Sequence, residues 1–163
     1  MSDVSTEARV HALGNEGARL LTREPALAAA KFEEAHDLAI RIGMAVQSSS
    51  LSSLIARSWS LRGSLVQCIR FSRRAVREGP CVPGAYSTLG HFCEKAAVQD
   101  ARAGKLRRAL ILFIAAARAY ATAAEHQGDV DKAQTLQEIA KNLRQTAEET
   151  FVRYCNGMDG RDS

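Results

Sequence analysis

The sequence predicts an all-α protein of about seven antiparallel helices. Three observations lead to this fold class: two alanine-rich runs at 26–30 and 115–124, only three prolines in 163 residues, and a recurring helical spacing of small and aromatic residues. Alanine is the best helix former, whereas proline removes a backbone donor and breaks helices. The repeated spacing indicates that several helices pack through similar faces.

The recurring motif has the form A-x3-F-x2-A, and its positions share one face of a helix. Two occurrences match it fully: Ala28, Phe32 and Ala35, and Ala109, Phe113 and Ala116. Two others keep the spacing with different residues: Cys68, Ser72 and Ala75, and Ala133, Gln137 and Ala140. Tight-turn glycines precede three of them, namely Gly63, Gly104 and Gly128. Small residues at such offsets allow close helix packing, so the motif predicts stacked helical hairpins. The expected core includes Phe32, Trp59, Leu65, Phe113, Tyr120 and Leu136.

The helix boundaries follow from the apolar period and from turn residues. Pro25 is tolerated in a first helical turn, and residues 48–50, three serines, are interpreted as a loop or capping segment. Two prolines and two glycines make 79–84 the clearest break. The predicted helices span 5–21, 24–44, 50–61, 64–77, 85–102, 106–126 and 130–154. We assign 1–155 to one helical domain, with a subdivision allowed at 79–84, and expect a disordered tail at 156–163.

Several turns resemble those of tetratricopeptide repeats. Residues 127–133 are similar to that family's turn and second-helix start, and the segments 104–109 and 59–68 are similar too. The first three motif occurrences are 40 and 41 residues apart, however, whereas the family's period is about 34 residues. The resemblance implies a right-handed array of helical hairpins, a concave groove for a partner protein, and no chemistry of its own.

The charge is concentrated in the middle of the chain. Residues 45–125 carry twelve Lys and Arg against four Asp and Glu, a net charge of +8 between mildly acidic flanks. Four arginines of the fourth predicted helix are spaced to share one face, and two more follow near a turn. Arginine presents a planar fork that suits carboxylates and phosphates. The expected partner-binding residues are therefore Arg70, Arg73, Arg74, Arg77, Arg107 and Arg108.

This pattern favours an adaptor or chaperone-like scaffold that binds an acidic segment of another protein. The alternative is a protein that binds nucleic acid or another polyanion, although aromatic residues that stack bases are scarce in the basic block. A small regulatory or enzymatic role comes third, and a solvated helix face without a partner is the remaining interpretation of the arginines. A homodimer through the last predicted helix is a further alternative, because that helix has a second apolar row at Ala147, Thr150, Phe151 and Tyr154.

Motifs that would indicate an enzyme or a cofactor site are missing from the sequence. There is no phosphate-binding loop, nucleophile elbow or zinc-protease motif, so we expect no catalytic, cofactor-binding or metal-binding residue. His91 and Cys93 lie two apart on a predicted helix and therefore point in different directions. The four cysteines lack metal-site spacing and are expected to be reduced. Without a leader-like start or a long apolar stretch, we expect a cytoplasmic protein with no membrane contact.

Overall fold

A computed structural model describes residues 3–159 and confirms the all-α prediction. Within this range there are seven helices and no strand, and inside each of the two compact units described below helices adjacent in the chain pack against each other. The helices are α1 (Asp3–Leu20), α2 (Pro25–Arg41), α3 (Ala45–Leu61), α4 (Leu65–Glu78), α5 (Pro83–Arg102), α6 (Leu106–Glu125) and α7 (Val130–Asp159).

The turn between α2 and α3 lies earlier than the sequence analysis placed it. Gly43 has a φ of +74°, a left-handed conformation that glycine adopts without a steric penalty. The serines at 48–50 therefore lie inside α3, and their interpretation as a loop was wrong. Gly63 and Gly104 also have positive φ angles in their turns, whereas Gly128 does not.

Two helix ends also differ from the prediction. α5 begins at Pro83, two residues earlier than expected, because proline fits the first position of a helix. α7 continues to Asp159, so the first four residues of the expected tail at 156–163 are helical. The remainder of that tail, 160–163, lies outside the described residues.

The described residues group into two compact units, the first ending at Ala85 and the second beginning at Tyr86. In the first unit α1 packs on α2, α2 on α3, and α3 on α4. In the second unit α6 packs on α7, and α5 contacts α6 where Gly90 faces the ring of Tyr120. The boundary directly follows the segment 79–84, where the sequence allowed a subdivision.

The recurring motif forms buried contact surfaces in three of its four occurrences. All motif residues of α2, α4 and α6 are buried, with Phe32 completely inaccessible. In α7 the pattern fails because Gln137 is exposed and only Ala140 is buried. The small side chains at these positions let neighbouring helices approach closely.

The expected core is only partly correct. Phe32, Phe113 and Tyr120 are buried as predicted. Three other residues lie near hairpin ends, where fewer helices surround a side chain, and are only half-buried: Trp59, Leu65 and Leu136.

The buried core of the first unit depends on a close approach between α1 and α2. A Cβ atom at Gly17 would lie 2.6 Å from Cε1 of Phe32, whose ring is fully buried and cannot move aside freely. We expect Gly17→Ala to destabilise the protein by about 1–3 kcal/mol through overpacking. The measurement is the free energy of unfolding in urea.

Gly14→Ala is the matched control in the same helix. A Cβ atom there would lie 3.7 Å from the nearest side-chain atom, on Leu51, an ordinary contact. Alanine should then stabilise α1 by about 0.5–1 kcal/mol through its helix propensity. Equal effects of the two substitutions would contradict the close approach at Gly17.

Candidate functional site

The α4 helix separates small buried residues from exposed arginines. Ser72 and Ala75 are buried inside the first unit, and their small side chains let α4 pack closely on α3. Arg70, Arg73 and Arg77 are exposed on α4, and no acidic side chain of the described chain forms an ion pair with them. We call these three residues the arginine face.

Arg74 has the right spacing for this face but is engaged within the first unit. Its Nε donates to Oε1 of Glu78 at 2.8 Å, and its Nη2 donates to Nδ1 of His36 at 2.9 Å. The Arg74 side chain is 37% exposed, and its hydrogen bonds hold it against α2 and its own helix. Its charge is therefore compensated by Glu78, unlike the charges of the arginine face.

The carboxylate of Glu78 connects three helices. It accepts a hydrogen bond at 2.7 Å from the Ser52 hydroxyl of α3 and one at 2.8 Å from Nε2 of His36 in α2. His36 is almost completely buried. Nδ1 of His36, which faces the Arg74 guanidinium, also lies 3.5 Å from Oδ1 of Asp37, so both ring nitrogens of this buried histidine have charged neighbours.

These contacts keep Glu78 ionised at neutral pH. Burial disfavours the charged carboxylate, but the hydrogen bonds from Ser52, Arg74 and His36 outweigh this effect. The pKa of Glu78 is therefore lowered from its ordinary value of 4.5. A single acidic residue thus holds three donors from three helices.

The combination of serine, histidine and glutamate does not have the geometry of a nucleophile with its base. The Ser52 hydroxyl donates to Glu78 and not to the imidazole, and Nδ1 of His36 is occupied by Arg74. A triad needs the histidine between the nucleophile and the acid, whereas here the acid is the central group. This network cross-links helices; the absence of catalytic residues elsewhere stays a prediction.

Arg107 and Arg108 belong to the second unit and differ from each other. Nε of Arg108 lies 3.2 Å from Oδ2 of Asp100, a charge pair without a well-aligned hydrogen bond. Asp100 is itself buried. Arg107 is exposed and has no ion pair within the residues that the structure describes. Of the six arginines selected from the sequence, two are therefore compensated internally.

The aromatic residues of the basic block are engaged in packing. Trp59 is half-buried, and the guanidinium carbon of Arg62 lies 3.9 Å from its ring centroid. Phe71 packs against the core of the first unit. In the second unit Phe92 is buried and Tyr86 is half-buried. These rings do not form an exposed platform for stacking bases.

No metal site is found in the described part of the chain. No three His, Cys, Asp or Glu side chains between residues 3 and 159 come together as ligands. His91 is exposed while Cys93 is buried, as expected for helix positions that point apart. All four cysteines are free thiols. None of the helices in this range has the length and apolarity to cross a bilayer.

Comparison with known protein families and with curated proteins finds no match for this chain. The tetratricopeptide resemblance therefore stays a prediction from the turn residues of the sequence.

The network around Glu78 was not predicted from the sequence. Its only local signal is the i, i+4 spacing of Arg74 and Glu78 on α4. The contacts with His36 and Ser52 join residues 42 and 26 positions apart in the chain, which periodicity does not reveal.

Glu78→Gln tests the network through pH. Folding lowers the pKa of this carboxylate, so the carboxylate stabilises the folded protein at any pH above the pKa that it has in the unfolded chain. This contribution is lost as the pH falls through the pKa that it has in the folded protein. We expect the variant to be less stable than the wild type by about 1–3 kcal/mol at neutral pH. The difference should shrink on acidification to about pH 3, measured by urea unfolding at each pH.

Glu33→Gln is the control, because Glu33 is exposed on α2 and forms no ion pair in the described structure. Its effect on stability should be small at every pH. A difference between Glu78→Gln and the wild type that stays constant with pH would contradict the lowered pKa.

Proposed function

We propose that this chain is an adaptor or chaperone-like scaffold that binds an acidic segment of a partner protein through the arginine face. One observation carries the proposal: three exposed arginines lie on one helix without an acidic partner in the described chain. The only acid of α4, Glu78, is occupied by Arg74, His36 and Ser52.

The arginine face is a concentrated positive charge on a rigid element. Arg70 and Arg77 are seven residues apart, which corresponds to about 10 Å along a helix. Like charges at i, i+3 and i, i+4 spacing repel each other, at a few tenths of a kcal/mol per pair. Carboxylates of a partner would relieve this repulsion and form the bidentate contacts that arginine favours. An acidic segment with two or three carboxylates over this length matches the face.

The packing of the aromatic rings favours a protein partner over single-stranded nucleic acid. Binding to single strands combines backbone contacts with exposed rings on which bases stack. Near α4, Phe71 packs against the core and Trp59 is covered on one side by Arg62. The face thus offers charge and hydrogen-bond donors without stacking surfaces.

The helix packing within each unit supports a scaffold of the tetratricopeptide type, and a cytoplasmic location is part of the same proposal. Within each unit successive helices are joined by short turns, two of them at the glycines expected from the sequence. Motif residues at the helix contacts are buried in α2, α4 and α6. Such arrays present rigid helix faces to partner segments.

The test is a pull-down from nuclease-treated lysate with a variant carrying Arg70→Glu and Arg73→Glu. We expect an acidic protein partner to be retained by the wild type and lost from the variant, because reversed charges repel carboxylates. Arg74 is left unchanged, since its substitution would disrupt the Glu78 network. Circular dichroism checks that the variant is folded.

A second variant with Arg19→Glu and Arg57→Glu is the matched control. Both residues are exposed on other helices of the first unit and form no ion pair in the described part, so the charge change is equal. It should retain the partner. Binding of random oligonucleotides that weakens steeply with salt would favour the polyanion alternative. If neither ligand binds and the arginine variants change only solubility, the face is merely solvated.

A further inference from the structure

The second unit has an apolar groove between α6 and α7. The groove has a volume of about 580 Å³ and is lined by Leu110 and Ile114 from α6 and by Ala147, Phe151 and Val152 from α7, with Arg144 and Glu148 at its rim. Three of its lining side chains are unusually exposed for their type: Ile114 is 39%, Phe151 52% and Val152 54% exposed. Neighbouring Ile111 is 58% exposed. Exposed apolar side chains that lie together in this way are candidates for an interaction surface.

The apolar row predicted on the last helix is divided by the fold. Ala147 and Thr150 are buried, and Tyr154 is half-buried. Phe151, by contrast, is half exposed and borders the groove. The later row therefore leaves one large apolar residue for a contact outside the unit.

The charges at the rim indicate which partner fits. Arg144 and Glu148 are one helical turn apart on α7, and neither forms an ion pair in the described part of the chain. An arginine four residues before a glutamate is the less favourable order for pairing within a helix. Two exposed, opposite charges thus flank the small residue Ala147.

We propose that the groove binds a second copy of this chain, with the two α7 helices antiparallel around a two-fold axis beside Ala147. A two-fold axis between Arg144 and Glu148 places each of them opposite the other in the second copy, so that two ion pairs form. The same contact covers Ile114, Phe151 and Val152. This self-complementary order of charges is what a symmetric contact requires, and it belongs to the second unit, whereas the arginine face belongs to the first.

The experiment measures association of the full chain by analytical ultracentrifugation. The wild type should be dimeric at tens of micromolar and dissociate on dilution. Arg144→Glu and Glu148→Arg should each weaken the dimer by about tenfold or more, because every dimer then contains two like-charge pairs. An equimolar mixture of these two variants should restore association, since each variant then meets opposite charges.

The control is Glu138→Arg, the same charge change on an exposed position of α7, about 15 Å along the helix from Glu148. This substitution should leave the dissociation constant of the dimer unchanged. Phe151→Ser should weaken the dimer without loss of helix content.

Three outcomes would overturn the proposal. A wild type that stays monomeric at tens of micromolar would assign the groove to a different protein. Association that survives Phe151→Ser would exclude this groove. Association lost in both charge variants but not restored by their mixture would exclude the two-fold pairing.

Discussion

Close packing through small side chains is the constraint on which both units depend. Where helices meet, the chain often places alanine, serine and glycine, and at two positions a glycine faces a large buried ring. Gly17 accommodates Phe32 in this way in the first unit, and Gly90 accommodates Tyr120 in the second. Close approach also excludes water, so every hydroxyl in these contacts needs a partner within the protein. Ser49 accordingly donates to the carbonyl oxygen of Ala75 at 2.9 Å.

Glu78 follows from the same constraint and determines the surface charge of α4. A carboxylate between closely packed helices stays ionised only when several donors surround it. One of these donors is Arg74. Because Arg74 and Glu78 form an ion pair, neither the positive nor the negative charge is left uncompensated on α4. Arg70, Arg73 and Arg77 then remain exposed without an acidic residue on their own helix. The interior network thereby defines which arginines are available outside.

The sequence was sufficient for the number of helices and for most of the surfaces they bury. Periodicity shows which side of a helix faces inward, and it identified the motif residues of α2, α4 and α6 correctly. It does not show which helices meet, so the contact between His36 and Glu78 had no sequence signal beyond residue type. Gly43 was overlooked because the preceding apolar residues continue the helical period. The burial of Trp59 was overestimated, because a residue's position near a hairpin end also decides its exposure.

The arginine face and the α6–α7 groove differ in the sign of their uncompensated charges, and this difference determines which kind of partner suits each. The arginine face carries charges of one sign only, so two copies of it would repel each other in a two-fold symmetric contact. The rim of the α6–α7 groove carries Arg144 and Glu148, one of each sign, around apolar side chains. In a two-fold contact the arginine of one copy meets the glutamate of the other, and the two attract. In a two-fold contact through the arginine face, arginine would meet arginine, and the two would repel each other. The arginine face therefore calls for a surface of opposite charge, whereas the charges beside the groove are compatible with the proposed contact between two copies.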